Sequence, residues 1–486
     1  MQYKWTVLSN TTLGTLMSSL DSNIVLIALP TIARELPDTT VLDLLWILMG
    51  YSLVTATVLV NFGRLADMFG RVRLYTYGFV IFTVGSALSS ISQTGPELIG
   101  FRLIQGVGAA FLFSNSGAII TDAFPENERG QALGINQVAI VAGSVSGLVL
   151  GGLLTYSIGW RSIFYVNVPI GIAATIWAHH NLRELAIIRK GQKLDIAGNL
   201  LFAGGIASVL TGITLFATSS ASSGVLLLMT AFGVAMLLLF GYVENKVKYP
   251  MFDLKLFRIR LFLAGNSAIF LNALARGAVT FIMVFYLQGP TMNLNPLSAG
   301  IFLIPISASL SFFGPISGRL SDKYGARIIA TTGLIVSSVG FLLLSRIGKT
   351  VTFDEILPSM ILIGSGMGIF ASPNRASIMN SAPPHERGIA SGISTTLTNV
   401  GMTFSMGLAF LVMSANVPIS ALDRIFLGTN ERVRNVSWIG NFINSIHYIF
   451  LISVVFLIVA IIPSALRGQT SNPIKENNIE LKGVSK

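Results

Sequence analysis

The chain lacks cysteine altogether and has only 4 histidines among 486 residues. Without cysteine it cannot form disulfides, thiolate zinc sites or iron–sulfur clusters, and it has no thiol nucleophile. His179 and His180 are adjacent, a spacing that does not suit metal ligation from one helix face. No nucleophile–base spacing is present either. We therefore expect no metal, no cofactor and no enzymatic activity.

Charged residues are also scarce. They make up 11% of the chain, against 52% hydrophobic residues, whereas soluble domains carry about 25% charged residues. This composition favours a polytopic membrane protein over a set of soluble domains. The net charge of +11 could indicate nucleic acid. The basic residues fall between apolar runs, however, as in the cytoplasmic loops of membrane proteins, so we expect no nucleic-acid partner.

Apolar runs dominate what remains. A transmembrane helix needs about 20 apolar residues, and fourteen such runs are present. They cover 6–29, 43–63, 74–93, 97–120, 132–155, 160–178, 195–216, 224–243, 261–287, 297–317, 327–345, 356–378, 389–413 and 441–463. The sequence thus predicts an all-α polytopic membrane protein with fourteen transmembrane helices.

The distribution of basic residues predicts its orientation. Of the 32 Lys and Arg residues, 22 fall on the side of the two termini, 7 on the opposite side and 3 within spans. Because cytoplasmic loops are enriched in Lys and Arg, both termini are predicted to be cytoplasmic, in a multi-pass protein of the plasma membrane.

An internal repeat divides the chain. GRLADMFGRVR at 63–73 recurs as GRLSDKYGARI at 318–328, and ERGQALG at 128–134 recurs as ERGIASG at 386–392. The repeat predicts two homologous six-helix bundles, while the helix pair at 195–243 has no counterpart. Parallel halves are typical of secondary transporters, with the substrate site where the halves meet. The predicted segments are an N-terminal bundle at 1–183, linkers and inserted pair at 184–260, a C-terminal bundle at 261–463 and a cytoplasmic tail at 464–486.

Together with LDSNIVLIALP at 20–30, RLIQGVGAA at 102–110 and WRSIFYVNVPIG at 160–171, the repeat resembles the Major Facilitator Superfamily. The number of spans resembles its 14-helix drug:proton antiporter branch. The resemblance implies a secondary active transporter, with proton-coupled efflux of drug-like or lipophilic small molecules as the expected function. Two alternatives stay open: a proton-coupled symporter of a metabolite or organic anion, and a non-transporting membrane sensor. The expected partners are a small-molecule substrate, protons and membrane lipid, and we expect a monomer.

The repeated loop is a candidate gate. Gly63 and Gly70 permit close backbone approach, and Asp67 lies where a carboxylate meets the positive end of the next helix. Arg64 and Arg71 can pair with Asp67. The second copy supplies Gly318, Arg319, Asp322 and Gly325. The resemblance implies that this loop latches the two halves on the cytoplasmic side; the alternative is a basic loop with a capping Asp.

Charges inside spans are functional-site hypotheses, because burying them in the bilayer is costly. Asp21 is the only acid well inside a span, and Arg102, Arg276 and Arg375 also fall within spans. The resemblance assigns Arg102 to proton coupling and places Asp21 on the central cavity. We hypothesise that Asp21 carries the proton and pairs with Arg276 when the cavity opens inward. Alternatively, Asp21 pairs with Arg102 throughout, or Arg276 binds an anionic group on the substrate.

Small and polar residues complete the candidates. Gly143, Gly147, Gly151 and Gly152 form a stripe for tight helix packing. The stripe resembles the family's antiporter motif, except that Leu148 stands where a proline is expected. The polar residues that could line the cavity, or could instead make interhelical hydrogen bonds, are Asn23, Asn136, Gln137, Asn266, Asn272 and Asn399. The inserted pair is predicted to lie outside the substrate path.

The predicted topology can be tested in a chain that has no native cysteine. A cysteine introduced at Ser220, between the two inserted helices, should react with an impermeant reagent from outside the cell. Cysteines placed within 179–194 or 244–260 should react only from the cytoplasm. Labelling of the Ser220 position from the cytoplasm alone would contradict the orientation.

Overall fold

The computed structural model describes residues 2–185, 194–218, 220–383, 386–427 and 437–468. Residues 186–193 of the predicted linker and 469–486 of the predicted tail lie outside the described residues. Every regular element in the described part is a helix. The α-helices are α1 Tyr3–Glu35, α2 Val41–Phe69, α3 Arg71–Ile91, α4 Gly95–Ala123, α5 Glu126–Ser157, α6 Ser162–Tyr165, α7 Asn167–Asn181, α8 Ile196–Ala217, α9 Ser223–Glu244, α10 Arg260–Arg276, α11 Val279–Gln288, α12 Pro296–Tyr324, α13 Ala326–Leu344, α14 Phe353–Ser381, α15 Arg387–Asn416, α16 Ile419–Leu427 and α17 Ser437–Leu466, with a 3₁₀ helix at Leu254–Arg258.

The described residues contain fourteen helical segments that are long and apolar enough to cross a bilayer. This confirms the predicted all-α architecture. Two spans are built from two helices each, since α6 and α7 form one and α10 and α11 form another. The short helix α16, on the side opposite the N-terminus, was not predicted. We call the side carrying the N-terminus the inner face, because the charge bias predicts it to be cytoplasmic, and the opposite side the outer face.

Helix ends follow local chemistry. Thr40 and Asp43 form a reciprocal capping box at the start of α2, and Asn295 accepts a hydrogen bond from the Ser298 amide at the start of α12; both cap otherwise unpaired amides. Gly70 (φ 106°) separates α2 from α3, and Gly325 (φ 88°) separates α12 from α13. These values favour glycine, so the two copies of the repeat make the same tight turn at the inner face.

The ninth span is broken at Gly277 and Ala278, between α10 and α11. A Cβ on Gly277 would lie 2.5 Å from the carbonyl oxygen of Met402, so only glycine allows α15 to approach this closely. The freed amide of Ala278 donates to Ser405 Oγ at 3.0 Å. A broken helix inside the membrane needs such a partner, because no water is available there.

The two halves touch near the outer face. Gly152 of α5 packs on Pro296, and Gly300 of α12 packs on the backbone of Leu148; an added Cβ would come within 2.6 Å and 2.5 Å of a backbone oxygen. Gln288 Nε2 donates to the Ile27 carbonyl at 2.9 Å, which joins α11 to α1. The outer side of the central path is therefore closed.

The same helix face separates from the other half near the inner face. Gln137 lies eleven residues before Leu148, about three turns at 3.6 residues per turn. Leu148 is 1% exposed against α12, whereas Gln137 on the same face is exposed. Because this face of α5 is covered at its outer end and bare at its inner end, α5 and α12 separate towards the inner face, while α2 and α15 stay in contact at Val60 and Gly392. The structure is inward-open.

The inserted helices lie on the outside of the seam between the halves. α8 packs on both α2 and α15. Trp46 Nε1 of α2 donates to Thr214 Oγ1 of α8 at 3.2 Å, and Ile213 meets Gly407 of α15. α9 exposes leucines such as Leu227 and Leu238, as expected for a lipid-facing helix. The pair is therefore peripheral to the central faces of the bundles.

Gly152→Val should weaken the closed outer contact. The added side chain collides with the backbone at Pro296, and overpacking costs about 1–3 kcal/mol. Since every 1.4 kcal/mol is tenfold, the ratio of inward-open to outward-open protein should fall by a factor of about 5 to 150. The readout is the labelling rate of a cysteine introduced at Gln137 in the inner cleft. It should drop in Gly152→Val.

Gly130→Val is the matched control for this test. Gly130 lies on the same helix, and a Cβ there would meet nothing within 4 Å. Its labelling rate should equal that of the parent. Unchanged labelling in Gly152→Val would show that this contact does not hold the outer side closed.

Candidate functional site

Asp21 and Arg102 form an ion pair deep inside the first half. Arg102 Nη1 lies 2.5 Å from Asp21 Oδ2, and the two residues are 1% and 0% exposed. The pair links α1 to α4. A buried charge is costly unless it is paired and hydrogen-bonded. The ion pair therefore offsets the desolvation free energy of both charges.

Three further side chains complete the site, and the sequence reasoning did not single them out. Gln105 Nε2 and Asn167 Nδ2 donate to Asp21 Oδ1 at 2.8 Å and 3.0 Å. Arg102 also donates to Gln105 Oε1 at 2.6 Å and stacks over the Tyr51 ring at 4.1 Å. Gln105 lies one helical turn after Arg102, and Asn167 falls in WRSIFYVNVPIG. The three-residue spacing from Arg102 could therefore have predicted that Gln105 lies on the same helix face.

The structure corrects two expectations about Asp21. It does not face the central cavity, because α4 and α7 enclose it. It does not pair with Arg276 in this inward-open state either, since both of its oxygens are occupied by Arg102, Gln105 and Asn167. Within the described part of the chain, Arg276 makes no hydrogen bond or ion pair. It is half-buried in the last turn of α10, directly before the break.

The candidate cavity residues divide into two groups. Asn136 accepts from Thr15 at 2.7 Å and Asn266 accepts from Ser394 at 2.7 Å, so these two buried residues make interhelical hydrogen bonds within one half. Exposed Gln137 faces the inner cleft. Asn23 and Asn399 are half-buried, and buried Asn272 has an amide nitrogen without a described hydrogen-bond partner. Cavity lining stays a prediction for the second group.

The glycine stripe of α5 faces α1. A Cβ on Gly143 or Gly147 would lie 2.6 Å from a carbonyl oxygen of α1, and one on Gly151 would lie 2.5 Å from Ile27. Gly152 faces the second half instead, at Pro296. Leu148, at the position where the resemblance leads one to expect proline, lies at this contact between the halves. Its role in the direction of transport stays a prediction.

In the first copy of the gate motif, Arg71 bridges two carboxylates of the first half. It lies 2.8 Å from Asp67 and 2.9 Å from Asp122 of α4. Arg64 does not hydrogen-bond to Asp67, contrary to expectation. It donates instead to the carbonyl oxygens of Tyr249 and Pro250, in the segment after α9. α2 directs this side chain towards the inserted pair, whereas Asp67 points towards α4.

The second copy is not engaged in the same way. Arg319 and Asp322 are exposed and have no hydrogen-bond or ion-pair partner among the residues that the structure describes. Neither copy bridges the halves in this structure, which agrees with the open inner cleft. A latch between the halves would form only when the inner side closes, and that role stays a prediction.

The cleft therefore offers little negative charge. The one acid well inside the described spans, Asp21, is enclosed in the first half, whereas Arg375 is exposed near the inner end of α14, 3.5 Å from Ser391 of α15. Such a cleft suits neutral or anionic molecules better than multivalent cations. Within the described residues no group of His, Asp and Glu could hold a metal ion.

Comparison with known proteins identifies relatives of this chain. A family profile described as the Major Facilitator Superfamily matches residues 11–406. The chain is 35% identical over 415 residues to the riboflavin transporter RibZ of Clostridioides difficile (strain 630), covering 84% of this chain and 88% of the relative. It is 31% identical to the multidrug resistance protein Stp of Mycobacterium tuberculosis (strain CDC 1551 / Oshkosh), covering 83% and 75%.

Solved structures share the fold. A bacterial homologue of the human lysosomal transporter Spinster, in an inward-facing and unoccupied conformation, matches with a TM-score of 0.68 at 16% identity, covering 96% of this chain and 97% of that chain. At 16% identity the match shows a shared fold and nothing about function.

Arg102→Met should destabilise the protein strongly, because it strands the buried Asp21 charge. Removing one partner of a buried pair costs about 3–5 kcal/mol. Adding Asp21→Asn should recover most of this loss, since an amide needs no counter-charge. Thermal unfolding in detergent measures both effects. Arg375→Met is the control and should change stability by less than about 0.5 kcal/mol, as expected for exposed positions. Equal stability of the Arg102 and Arg375 variants would contradict the assigned pair.

Proposed function

The chain belongs to the Major Facilitator Superfamily of transporters, and we propose that it couples proton movement to export of drug-like or lipophilic molecules by alternating access. The observation that carries this proposal is the state of Asp21. In a structure open only to the inner face, the intramembrane carboxylate is sealed from the cleft and paired with Arg102. This arrangement stabilises the ionised carboxylate, which is the state expected after the proton has been delivered inward.

The reverse half of the cycle follows from the same pair. When the outer side opens, a proton reaching Asp21 removes its charge and leaves Arg102 without a counter-charge. Stranding a buried charge costs several kcal/mol, which provides free energy to rearrange α1 against α4. Asp21 therefore acts as the proton carrier and Arg102 as the residue that makes proton binding change the structure. Gln105 and Asn167 orient the carboxylate.

Both the cleft and the relatives support a lipophilic or drug-like substrate. The exposed and apolar inner surface of α5, with Gln137, suits lipophilic molecules, and several relatives are named for resistance, such as multidrug resistance protein 3 of Bacillus subtilis (strain 168) at 30% identity. The second candidate is transport of a metabolite or organic anion. It is favoured by Arg276, which has no partner among the described residues, by exposed Arg375, and by similarity to a riboflavin transporter.

The protein is a multi-pass membrane protein of the plasma membrane. We further propose that both termini are cytoplasmic and that it works as a monomer. The charge bias supports this orientation. The closed outer contact between α5 and α12 lies within one chain, so a single copy contains both faces of the transport path.

Transport assays in proteoliposomes test the function. A panel of labelled dyes, drugs and carboxylates should include molecules that move when a pH gradient is imposed, and the direction of movement separates export from import. Asp21→Asn should abolish gradient-driven movement while leaving the protein folded, because the amide cannot carry the proton. Normal gradient-driven transport by Asp21→Asn would exclude the proposed carrier.

The matched control is Asp38→Asn. Asp38 is an exposed acid in the outer turn before α2, with φ 54°, a conformation that asparagine tolerates. This variant should transport as the parent does. If no molecule in the panel responds to the gradient in the parent protein, proton-driven transport is refuted for those substrates.

A further inference from the structure

Two carboxylates lie buried at the inner end of the inserted helix pair. Asp195 precedes α8 and Glu244 ends α9, and they are 4% and 3% exposed. Asp195 caps α8 by accepting from the Gly198 amide at 2.7 Å. A capping role explains one carboxylate at this position, but it does not explain why a second acid is buried beside it.

The two carboxyl groups compete for the same donor and crowd the same space. The Met251 amide lies 3.1 Å from Glu244 Oε1 and 3.4 Å from Asp195 Oδ2. A Cβ on Gly198 would lie 2.4 Å from Asp195 Oδ2 and 2.7 Å from Glu244 Oε1, so the two carboxyl oxygens crowd the same point. Two ionised carboxylates this close repel each other, because neither has a proton to donate.

No cation neutralises this pair. In the described part of the chain no Lys or Arg nitrogen lies within ion-pair distance of Asp195 or Glu244. The guanidinium of Arg64 on α2 interacts electrostatically with both acids. Its Nη1 and Nη2 donate to the carbonyls of Tyr249 and Pro250 instead.

The other charges near the pair do not change this balance. Asp253 and Asp67 are further carboxylates within the field of Arg64. Lys246 and Lys248 lie over the rings of Tyr242 and Tyr249. From α15, which also packs on α8, no charged group contacts the pair among the described residues. Two negative charges at this point would thus share a single guanidinium, that of Arg64, which lies beyond ion-pair distance of both.

We propose that Asp195 and Glu244 form a proton-binding site that holds one shared proton in this inward-open structure. Two carboxylates that crowd one point and share one amide donor favour protonation of one partner, as in other carboxyl pairs that share a proton. The site is separate from Asp21: it lies at the inner face, on helices outside the two six-helix bundles, and involves no residue of the Asp21 network. It therefore senses the proton concentration of the inner side and does not carry protons across the membrane.

The site connects to the gate motif through Arg64. Asn61 Nδ2 of α2 donates to the Asp195 carbonyl at 3.4 Å, and Asn199 Nδ2 of α8 donates to the Thr57 carbonyl. These bonds tie α8 to the α2 turns just before Arg64. The amides of Met251 and Phe252 bind Glu244, so the carboxyl pair also positions the two carbonyls that hold Arg64.

Loss of the shared proton to the inner solution leaves two negative charges beside Arg64. The guanidinium is then drawn from the Tyr249 and Pro250 carbonyls towards the carboxylates, and the repelled acids loosen the 249–252 segment. When the inner side is acidic, the proton stays and Arg64 remains held. The inserted pair thus makes the conformation of the gate motif depend on inner pH.

Infrared spectroscopy of the purified full-length protein detects the proton directly. The carbonyl stretch of a protonated carboxyl group should be present at neutral pH, and its intensity should fall by one carboxyl group in Glu244→Gln. Glu128→Gln is the control, because Glu128 pairs with Lys4 at the same face and should leave the band unchanged. If Glu244→Gln does not fold, Asp195→Asn is the second variant, since asparagine also caps helices. It should lose the band because Glu244 then ionises alone. A band unchanged in the folded variant refutes the shared proton.

A second measurement tests the link to the gate. A fluorophore on a cysteine introduced at exposed Lys248 should respond to pH in an otherwise parental protein, and this response should be lost in Glu244→Gln and retained in Glu128→Gln. An equal response in all three proteins would overturn the connection between the carboxyl pair and the 249–252 segment. Because neither readout requires transport, both stand or fall independently of the proposed export function.

Discussion

The structure depends on the rule that a charge buried in the membrane must have a partner. Asp21 and Arg102 satisfy it through an ion pair. Gln105 and Asn167 add hydrogen bonds to the two charged groups, and the Tyr51 ring stacks on the Arg102 guanidinium. These contacts draw α1, α4 and α7 together and hold the first half as one body. Since the pair is complete without the second half, the first half can move as a unit while the central path opens and closes. By the same rule, we expect protonation of Asp21 to change the structure, because it would leave Arg102 without a counter-charge.

The span count, the two-fold repeat and the position of the inserted pair could be predicted from the sequence, because each depends on long apolar runs or on motifs that recur at offsets of 255 and 258 residues. The partner of Asp21 could not. Arg276 lies 255 residues after Asp21, the same offset as Gly318 from Gly63, and this equivalence suggested an ion pair. Pseudo-symmetry, however, places two residues in equivalent environments and does not bring them together. The rotation of α1 about its axis determines the partner, because it directs Asp21 into its own half, towards Arg102. The break after Arg276 also escaped prediction, because the apolar run continues through Gly277.

The inserted pair illustrates a second limit of sequence reasoning. Its apolar helices and missing repeat counterpart indicated a peripheral position, and α8 does lie outside the two bundles. Yet it packs across the line where α2 and α15 meet, with Trp46 of the first half and Gly407 of the second both against it. Only tertiary packing shows that a peripheral element touches both moving halves. The Arg64 contact follows the same pattern, since the gate motif predicts a pairing with Asp67 and the side chain instead finds carbonyls 185 and 186 residues away.

The two halves share a fold but differ in the charges they bury. At the repeat offset of 258 residues, the positions equivalent to Arg102 and Gln105 are Met360 and Ile363, both fully buried and apolar. The second half therefore cannot build a proton site like that of Asp21, and its one deep charge, Arg276, is left without a partner among the described residues, next to a broken helix. A guanidinium kept in the membrane without a protein counter-charge is costly, and an anionic or strongly polar substrate group would offset that cost. We propose that this asymmetry divides the work: the first half binds the proton, and the second half presents the positive charge that selects the molecule to be moved.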